Sequence, residues 1–252
     1  MMNKFLNNLN KIEFAVTFCC SGRCKHCSEG DHALSGEQID PAAASEAVKK
    51  IASAYDIKTV MTFGGEPLLY LDTVCTIMTA AHEMNVPRRQ VITNGYFSHS
   101  TEYIRLAAAR LADSGVNDLL LSADAFHQEY IPLDTVKVFA DEVKKCGIPL
   151  RLQPAWLVSA VHDNPYNRKT REILDSFSEL DIPASEGNII FPEGNAKKYL
   201  AEYFTSSVPE NPYTEDPCDV KCISFSPNGD VLGENIYKRD IMDILRDYDP
   251  MK

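Results

Sequence analysis

Long apolar runs and positive charge are what this sequence has least of. No stretch approaches the roughly 20 apolar residues of a membrane span. The N-terminus, MMNKFLNNLNKIEF, has one early lysine but no apolar segment of the secretory type. These absences argue against a helical membrane protein and a secreted one, so the expectation is a cytoplasmic protein. Lys and Arg number 25 against 36 Asp and Glu, a formal net charge of -11. Nucleic-acid affinity rests on Lys and Arg displacing counterions, so a nucleic-acid partner is not expected. The pairs Arg88-Arg89 and Arg168-Lys169 are read as solvated surface. No internal repeat or low-complexity tract is evident.

Cysteine is scarce too, with eight in 252 residues, yet Cys19, Cys20, Cys24 and Cys27 all fall in the stretch FCCSGRCKHC at 18–27. Clustered thiols in a reducing compartment bind metal or carry redox chemistry more often than they form structural disulfides.

Around this cluster the chain alternates short apolar runs with amphipathic helices. The strand candidates are 13–18, 59–63, 90–94, 119–123, 150–155 and 188–191, mostly without clean alternation, as for strands covered on both faces. Apolar residues at helical spacing follow four of them: Ala44, Ala47, Val48 and Ile51; Leu71, Val74, Cys75 and Met78; Ile104, Ala107, Ala108 and Leu111; Val136, Phe139, Ala140 and Val143. Asp40-Pro41 supplies an N-cap and first-turn proline for the first helix. Six β-α units predict an α/β fold with a parallel sheet, as an incomplete barrel or an open doubly wound sheet. In both, ligands sit at the carboxyl ends of strands. The cysteines, Gly64-Gly65-Glu66-Pro67, Thr93-Asn94-Gly95, and Ser122 with Asp124 all fall there. From about residue 206, SSVPENPYTEDPCDVKC reads as a loop or linker. A small hairpin of 223–225 with 231–232 and a last helix near 239–247 are expected to follow.

Cys19 and Cys20 are adjacent at a strand end and point to opposite sides, so one is surplus. Cys20, Cys24 and Cys27 form C-x3-C-x2-C, a loop able to curl three thiolates around a compact centre, while Cys19 is expected to be a small buried hydrophobe. Three thiolates leave a four-iron cluster with one iron free to bind a small molecule, since full ligation takes four. Other readings of the same residues are zinc held by Cys20, Cys24, Cys27 and His26 or another residue, a thioredoxin-like disulfide between Cys24 and Cys27, and an electron-transfer ferredoxin, which lacks a nearby fourth cysteine. Cys75 and Cys146 are expected in the core or at a helix end.

C-x3-C-x2-C after the first strand, followed one β-α unit later by Gly64-Gly65-Glu66-Pro67, resembles the radical S-adenosylmethionine (SAM) superfamily. The resemblance covers nearly the whole chain. It implies a partial (β/α)6 barrel at 1–205, a 4Fe-4S cluster on Cys20, Cys24 and Cys27, and SAM bound through the open iron. The Gly64 to Pro67 turn would meet the methionine ammonium, largely through backbone, His26 would lie near the adenine, and Asn94, Ser122 and Asp124 near the ribose or carboxylate. Residues 206–252, with CDVKCISFSPNGDV, are similar to the start of SPASM or twitch extensions. Only Cys218 and Cys222 are present there, so a degenerate extension without auxiliary iron is expected.

The resemblance further implies an enzyme whose reduced, air-sensitive cluster cleaves SAM to a 5'-deoxyadenosyl radical that abstracts hydrogen from substrate, with a flavodoxin- or ferredoxin-type electron donor. The FGGEPLL, SADAFH, PEGNA and CISFSPNGDV segments resemble enzymes that modify peptides or proteins, although the barrel begins near residue 12, without room for an N-terminal peptide-recognition domain. A peptide or protein is therefore the expected substrate and a small metabolite the alternative. The rival of another class is a non-catalytic zinc or iron-sulfur protein. The sequence marks no catalytic acid or base.

Overall fold

In a computed structural model, residues 3–32, 36–204 and 209–251 are described. The expected boundary at 205/206 and the first residues of the expected linker lie outside them. Five strands that the sequence marks run parallel: β1 (Lys11–Thr17), β2 (Thr59–Gly64), β3 (Arg88–Thr93), β4 (Asp118–Ser122) and β5 (Leu150–Gln153). Between them lie α1 (Pro41–Ala54), α2 (Leu71–Glu83), α3 (Thr101–Asp113) and α4 (Leu133–Lys145). Asp40 caps α1 as its chemistry predicts, accepting from the Ala43 N–H at 2.8 Å, with Pro41 in the first turn. Two short strands, β6 (Ala155–Trp156) and β7 (Asn188–Ile189), pair in parallel beyond β5, and an isolated parallel bridge from Leu152 to Ala184 links β5 to the segment before β7.

The expected hairpin of 223–225 with 231–232 does not form. Instead β8 (Cys222–Phe225) lies parallel to β1, in register from Lys11↔Cys222 to Phe14↔Phe225, so the six-stranded sheet runs β5-β4-β3-β2-β1-β8. The hairpin sits further along, between β9 (Asp230–Val231) and β10 (Glu234–Asn235). A fully buried Phe225 stacks on Phe14 at 4.7 Å, which explains the pairing, because β8 thereby buries Ile223 and Phe225 in the main core. The last helix, α7 (Ile241–Asp247), adds Ile244 and Leu245 to the same core. The architecture is a parallel α/β sheet that does not close into a barrel.

The two faces of the sheet are unequal, contrary to the expectation of strands covered on both sides. Ile12, Phe14, Val16, Val60, Val91, Leu119, Leu121 and Phe225 face the helices with no exposure. On the concave face Phe63, Ile92, Ser122 and Gln153 stay half-open to solvent. At the amino end of the strands Asp118 accepts from Arg88 at 2.5 Å, Gln90 at 2.5 Å and Arg151 at 2.7 Å. Arg89 donates to the carbonyls of Gly115 and Val86. Arg88 stays exposed beside Asp118, as expected of surface, whereas Arg89 is half-buried at the end of the sheet, and Arg168 and Lys169 form exposed pairs with Asp163 and Glu172, as expected.

Two helices escape a search for apolar stripes. They are α5 (Pro165–Asp175), whose buried side is Asn167, Thr170 and Ile173, and α6 (Gly194–Tyr199). Among the described residues no helix is long and apolar enough to cross a membrane.

Candidate functional site

At the carboxyl end of β1 the backbone leaves the sheet. It is held by the Gly65 N–H donating to the Thr17 carbonyl at 2.7 Å and the Glu66 N–H donating to the Cys19 carbonyl at 2.7 Å. The two glycines are explained by this approach: a Cβ on Gly64 would lie 2.3 Å from the Thr17 oxygen, and one on Gly65 2.1 Å from the Cys19 oxygen. An ammonium only donates, so among the backbone groups of this turn the carbonyls are the ones that could receive it. Pro67 opens the short turn of helix that follows. The Glu66 side chain is fully buried and accepts from Leu68 N at 2.9 Å, Thr93 Oγ1 at 2.7 Å and Asn94 N at 2.8 Å. Burial pushes its carboxyl up to about 7 against those hydrogen bonds. Glu66 therefore ties the turn after β2 to the end of β3.

The cysteine loop rests on this platform. Cys20 and Cys24 are buried, Cys27 is partly so, and all are free thiols. The sulfurs of Cys24 and Cys20 lie 3.4 and 3.7 Å from where a Cβ on Gly22 would stand, so the glycine leaves a cradle that any side chain would fill. The Gly22 N–H, at 3.3 Å, and Asn94 Nδ2, at 3.6 Å, both point at the Cys20 sulfur. Cys27 Sγ lies 3.0 Å from His32 Nε2, and His32 Nδ1 meets the Phe18 carbonyl at 2.7 Å. A carbonyl only accepts, so the Nδ1 carries the proton. Cys19 lies apart from the trio, buried with its sulfur beside Gly36, although it stands past the end of β1 rather than within the strand.

Burial raises the Cys20 thiol to about 12, with the Glu66 carboxylate adding to it, and raises Cys24 and Cys27 as well. Three thiols in so dry a place ionise only against a cationic centre. Three soft donors, an open cradle and N–H groups aimed at sulfur fit an iron-sulfur group.

The PEGNA segment clamps the loop from above. The Asn195 N–H donates to the Cys27 carbonyl at 2.8 Å, and its Nδ2 donates to the carbonyls of Cys24 and Gly30 at 3.3 and 3.2 Å. A Cβ on Gly194, at φ +49°, would stand 2.3 Å from the Ser28 oxygen.

A second group borders the cysteines. Asp124 is fully buried and accepts from Phe126 N at 2.9 Å, His127 N at 3.0 Å, Ala155 N at 3.1 Å and His127 Nδ1 at 2.8 Å. Four donors already occupy its two oxygens, so the expected contact of Asp124 with a cofactor would have to run through His127. Burial opposes the charge on both partners but their attraction outweighs it, lowering Asp124 to about 2 and raising His127. His26 packs against Phe126 at 5.0 Å and His127 at 4.9 Å, and burial brings it down to about 4.

Cys20, Cys24, Cys27, His26, Gly64, Gly65, Glu66, Pro67 and Asn94 are thus brought together, with Asp124 behind His127. Ser122 faces the concave side of β4 opposite Gln153. His32, His127 and Asn195 were not found from sequence. The signal for His127 was its place three residues after Asp124, on one side of a turn. His32 had no signal beyond proximity to Cys27. Cys218 is exposed, and Cys222 sits in β8 beside Lys11 and Glu13, its thiol raised by burial and by Glu13.

Comparison with known proteins gives relatives and a family. Two relatives are described as probable GTP 3',8-cyclases. The one from Methanocaldococcus jannaschii is 24% identical over 129 positions, covering 51% of this chain and 41% of that protein. The one from Saccharolobus islandicus is 26% identical over 224 positions, covering 81% and 67%. The chain thus spans between two fifths and two thirds of these relatives. Among solved structures, Streptococcus suis SuiB bound to the precursor peptide SuiA shares the fold at a TM-score of 0.64 and 16% identity, covering 99% of this chain and 66% of SuiB. The anSMEcpe protein with bound AdoMet does so at 0.60 and 14%, covering 96% and 81%. The family model described as Radical SAM superfamily matches residues 14–202, from within β1 through the cysteine loop to α6. With a buried three-thiol loop resting on a Gly-Gly-Glu platform inside that span, this chain belongs to the radical SAM superfamily.

Proposed function

We propose that this chain is a radical SAM enzyme whose cluster is held by Cys20, Cys24 and Cys27. The observation that carries this reading is the convergence of Cys20 and Cys24 beside Gly22, with the Cys20 sulfur tied through Asn94 to Glu66 of the Gly-Gly-Glu turn. When bound, a reduced 4Fe-4S cluster supplies one electron to the SAM sulfonium, releasing methionine and a 5'-deoxyadenosyl radical that takes a hydrogen atom from substrate. The protein's own residues do the rest. Asn94 and the Gly22 N–H steady the Cys20 sulfur, Asn195 fixes the loop, and the Gly64 and Gly65 carbonyls receive the SAM ammonium. His26 is offered for the adenine edge, and Ser122 with the Asp124–His127 pair for the ribose side. A flavodoxin- or ferredoxin-type donor in the cytoplasm supplies the electron. Residues 1–205 are taken as the core and 206–252 as an extension that lends β8 to the sheet, without auxiliary iron.

For the substrate, a peptide or protein is favoured. A cavity of about 270 Å³ opens between β1, β2 and the β9-β10 turn, lined by Ala15, Phe18, Phe63, Ser224, Glu29 and Asp230. Three phenylalanines, Phe18, Phe63 and Phe225, and two carboxylates suit a single side chain better than a triphosphate, because like charges repel. A small metabolite is the second reading, favoured by the similarity to GTP cyclases. The test is anaerobic reconstitution, reduction with dithionite and addition of SAM, expecting 5'-deoxyadenosine. Stimulation by short peptides supports the first substrate reading, and stimulation by GTP the second.

A further inference from the structure

Only one of the three cysteines turns toward His26 and His127. The Cys24 sulfur and one ring nitrogen each of His26 and His127 all lie within 4.8 Å of one another. Cys27 is instead engaged with His32, and Cys20 with Asn94 and Gly22. Two further features point to a ligand here. His26 Nδ1 is buried with no hydrogen-bond partner in the structure, a costly state that binding would relieve. His127 Nδ1 is bonded to the Asp124 carboxylate, which leaves Nε2 as its free nitrogen in a fixed orientation. A carboxylate behind a ligating histidine is the usual support of a zinc ligand. In tetrahedral zinc, bond lengths near 2.0 to 2.3 Å put ligand atoms roughly 3.3 to 3.7 Å apart. With His127 held by Asp124, closing the trio to that spacing takes a movement of the Cys24 and His26 side chains.

We propose that Cys24, His26 and His127 form a mononuclear zinc site, with the fourth position open, that competes with the iron-sulfur cluster for Cys24. Binding replaces the Cys24 S–H bond by a Zn–S bond and releases that proton to solvent; no electron moves. This set differs from the sequence-based zinc reading, which used all three cysteines and His26. The two metal states share one sulfur, so the chain holds either zinc or the cluster, and zinc acts as an inhibitor of cluster loading.

The site can be tested apart from the enzymatic reading, because the two states share only Cys24 among their metal ligands, with Cys20 and Cys27 serving the cluster alone. The metal-free full chain is titrated anaerobically with Co2+ as a spectroscopic probe and then with Zn2+ in competition. One equivalent with a thiolate-to-cobalt absorption band is expected. His26→Phe, which keeps the ring packing on Phe126, and His127→Gln, which can still donate to Asp124, are expected to weaken binding by about 10-fold or more, the scale known for perturbed metal shells. Cys20→Ala and Cys27→Ala are expected to bind Co2+ like the parent chain while losing iron on reconstitution. Circular dichroism shows that each variant is folded. If Cys20→Ala or Cys27→Ala removes the cobalt band as Cys24→Ala does, or if both histidine variants bind like the parent, the proposal is overturned. Loss of iron in the cysteine variants would still support the cluster assignment.

Discussion

The molecule holds two groups of cysteines, and their contrast shows what makes a metal site. Cys20, Cys24 and Cys27 sit on a loop freed from the sheet, where the Cys20 and Cys24 thiols lie beside Gly22, N–H groups point at the Cys20 sulfur and Cys27 meets His32. Cys218 and Cys222 are as close in sequence, but Cys222 is locked into β8 and Cys218 is exposed. Spacing alone is similar in both. The difference lies in the backbone, since a strand fixes its side chains on alternate faces while a clamped loop can aim several at one point.

The sharpest way to break the comparison is to remove one thiol from each group. Cys24→Ala is expected to lose cluster iron and all SAM cleavage on anaerobic reconstitution, while Cys222→Ser retains both. Equal loss in the two, by iron assay, would make the C-terminal pair a metal site after all.

If the C-terminal segment serves the sheet, its apolar residues matter more than its thiols. Phe225→Ala removes a fully buried ring stacked on Phe14 and is expected to cost about 3 to 5 kcal/mol in urea unfolding of the metal-free chain. Glu66 probes the platform under the loop. Its carboxyl, raised from 4.5 to about 7, holds a proton in the folded chain that the unfolded chain has released. Stability should therefore fall as pH rises from 4.5 to 7, by up to roughly 3 kcal/mol from this group. Glu66→Gln cannot titrate and should flatten that slope in denaturation at pH 5 against pH 7.

Gly194→Ala tests the clamp. The added methyl meets the Ser28 carbonyl, and a positive φ disfavours alanine, so a destabilisation of about 1 to 3 kcal/mol is expected, with slower iron loading. Smallest of all, Cys218→Ser at an exposed position should change stability by less than about 0.5 kcal/mol and iron content not at all.

Much of this was legible in the sequence where local chemistry decides the outcome. Asp40-Pro41 capped its helix, four amphipathic stripes became α1 to α4, and C-x3-C-x2-C became a loop. What escaped depends on distant partners. The run CISF has the same apolar pattern in a hairpin or beside β1, and only Phe14, some 200 residues away in sequence, selects the second. Apolar residues on both faces of β2 to β4 hid the half-open concave side. Helix α5 was missed because Asn167 faces inward and bonds to the carbonyls of Leu157, Ser159 and His162, where a stripe would show an apolar residue. His127 stands in no metal-ligand or catalytic spacing in the sequence and acquires a role only where the turn sets it against Asp124.

The central claim is that three sulfurs hold iron with one corner left for SAM. It is tested most directly by Mössbauer spectroscopy of the chain reconstituted with enriched iron, before and after SAM is added. The account predicts about four irons per chain, one of which changes its signal when SAM binds. An unchanged spectrum, with all irons equivalent in the presence of saturating SAM, would contradict it.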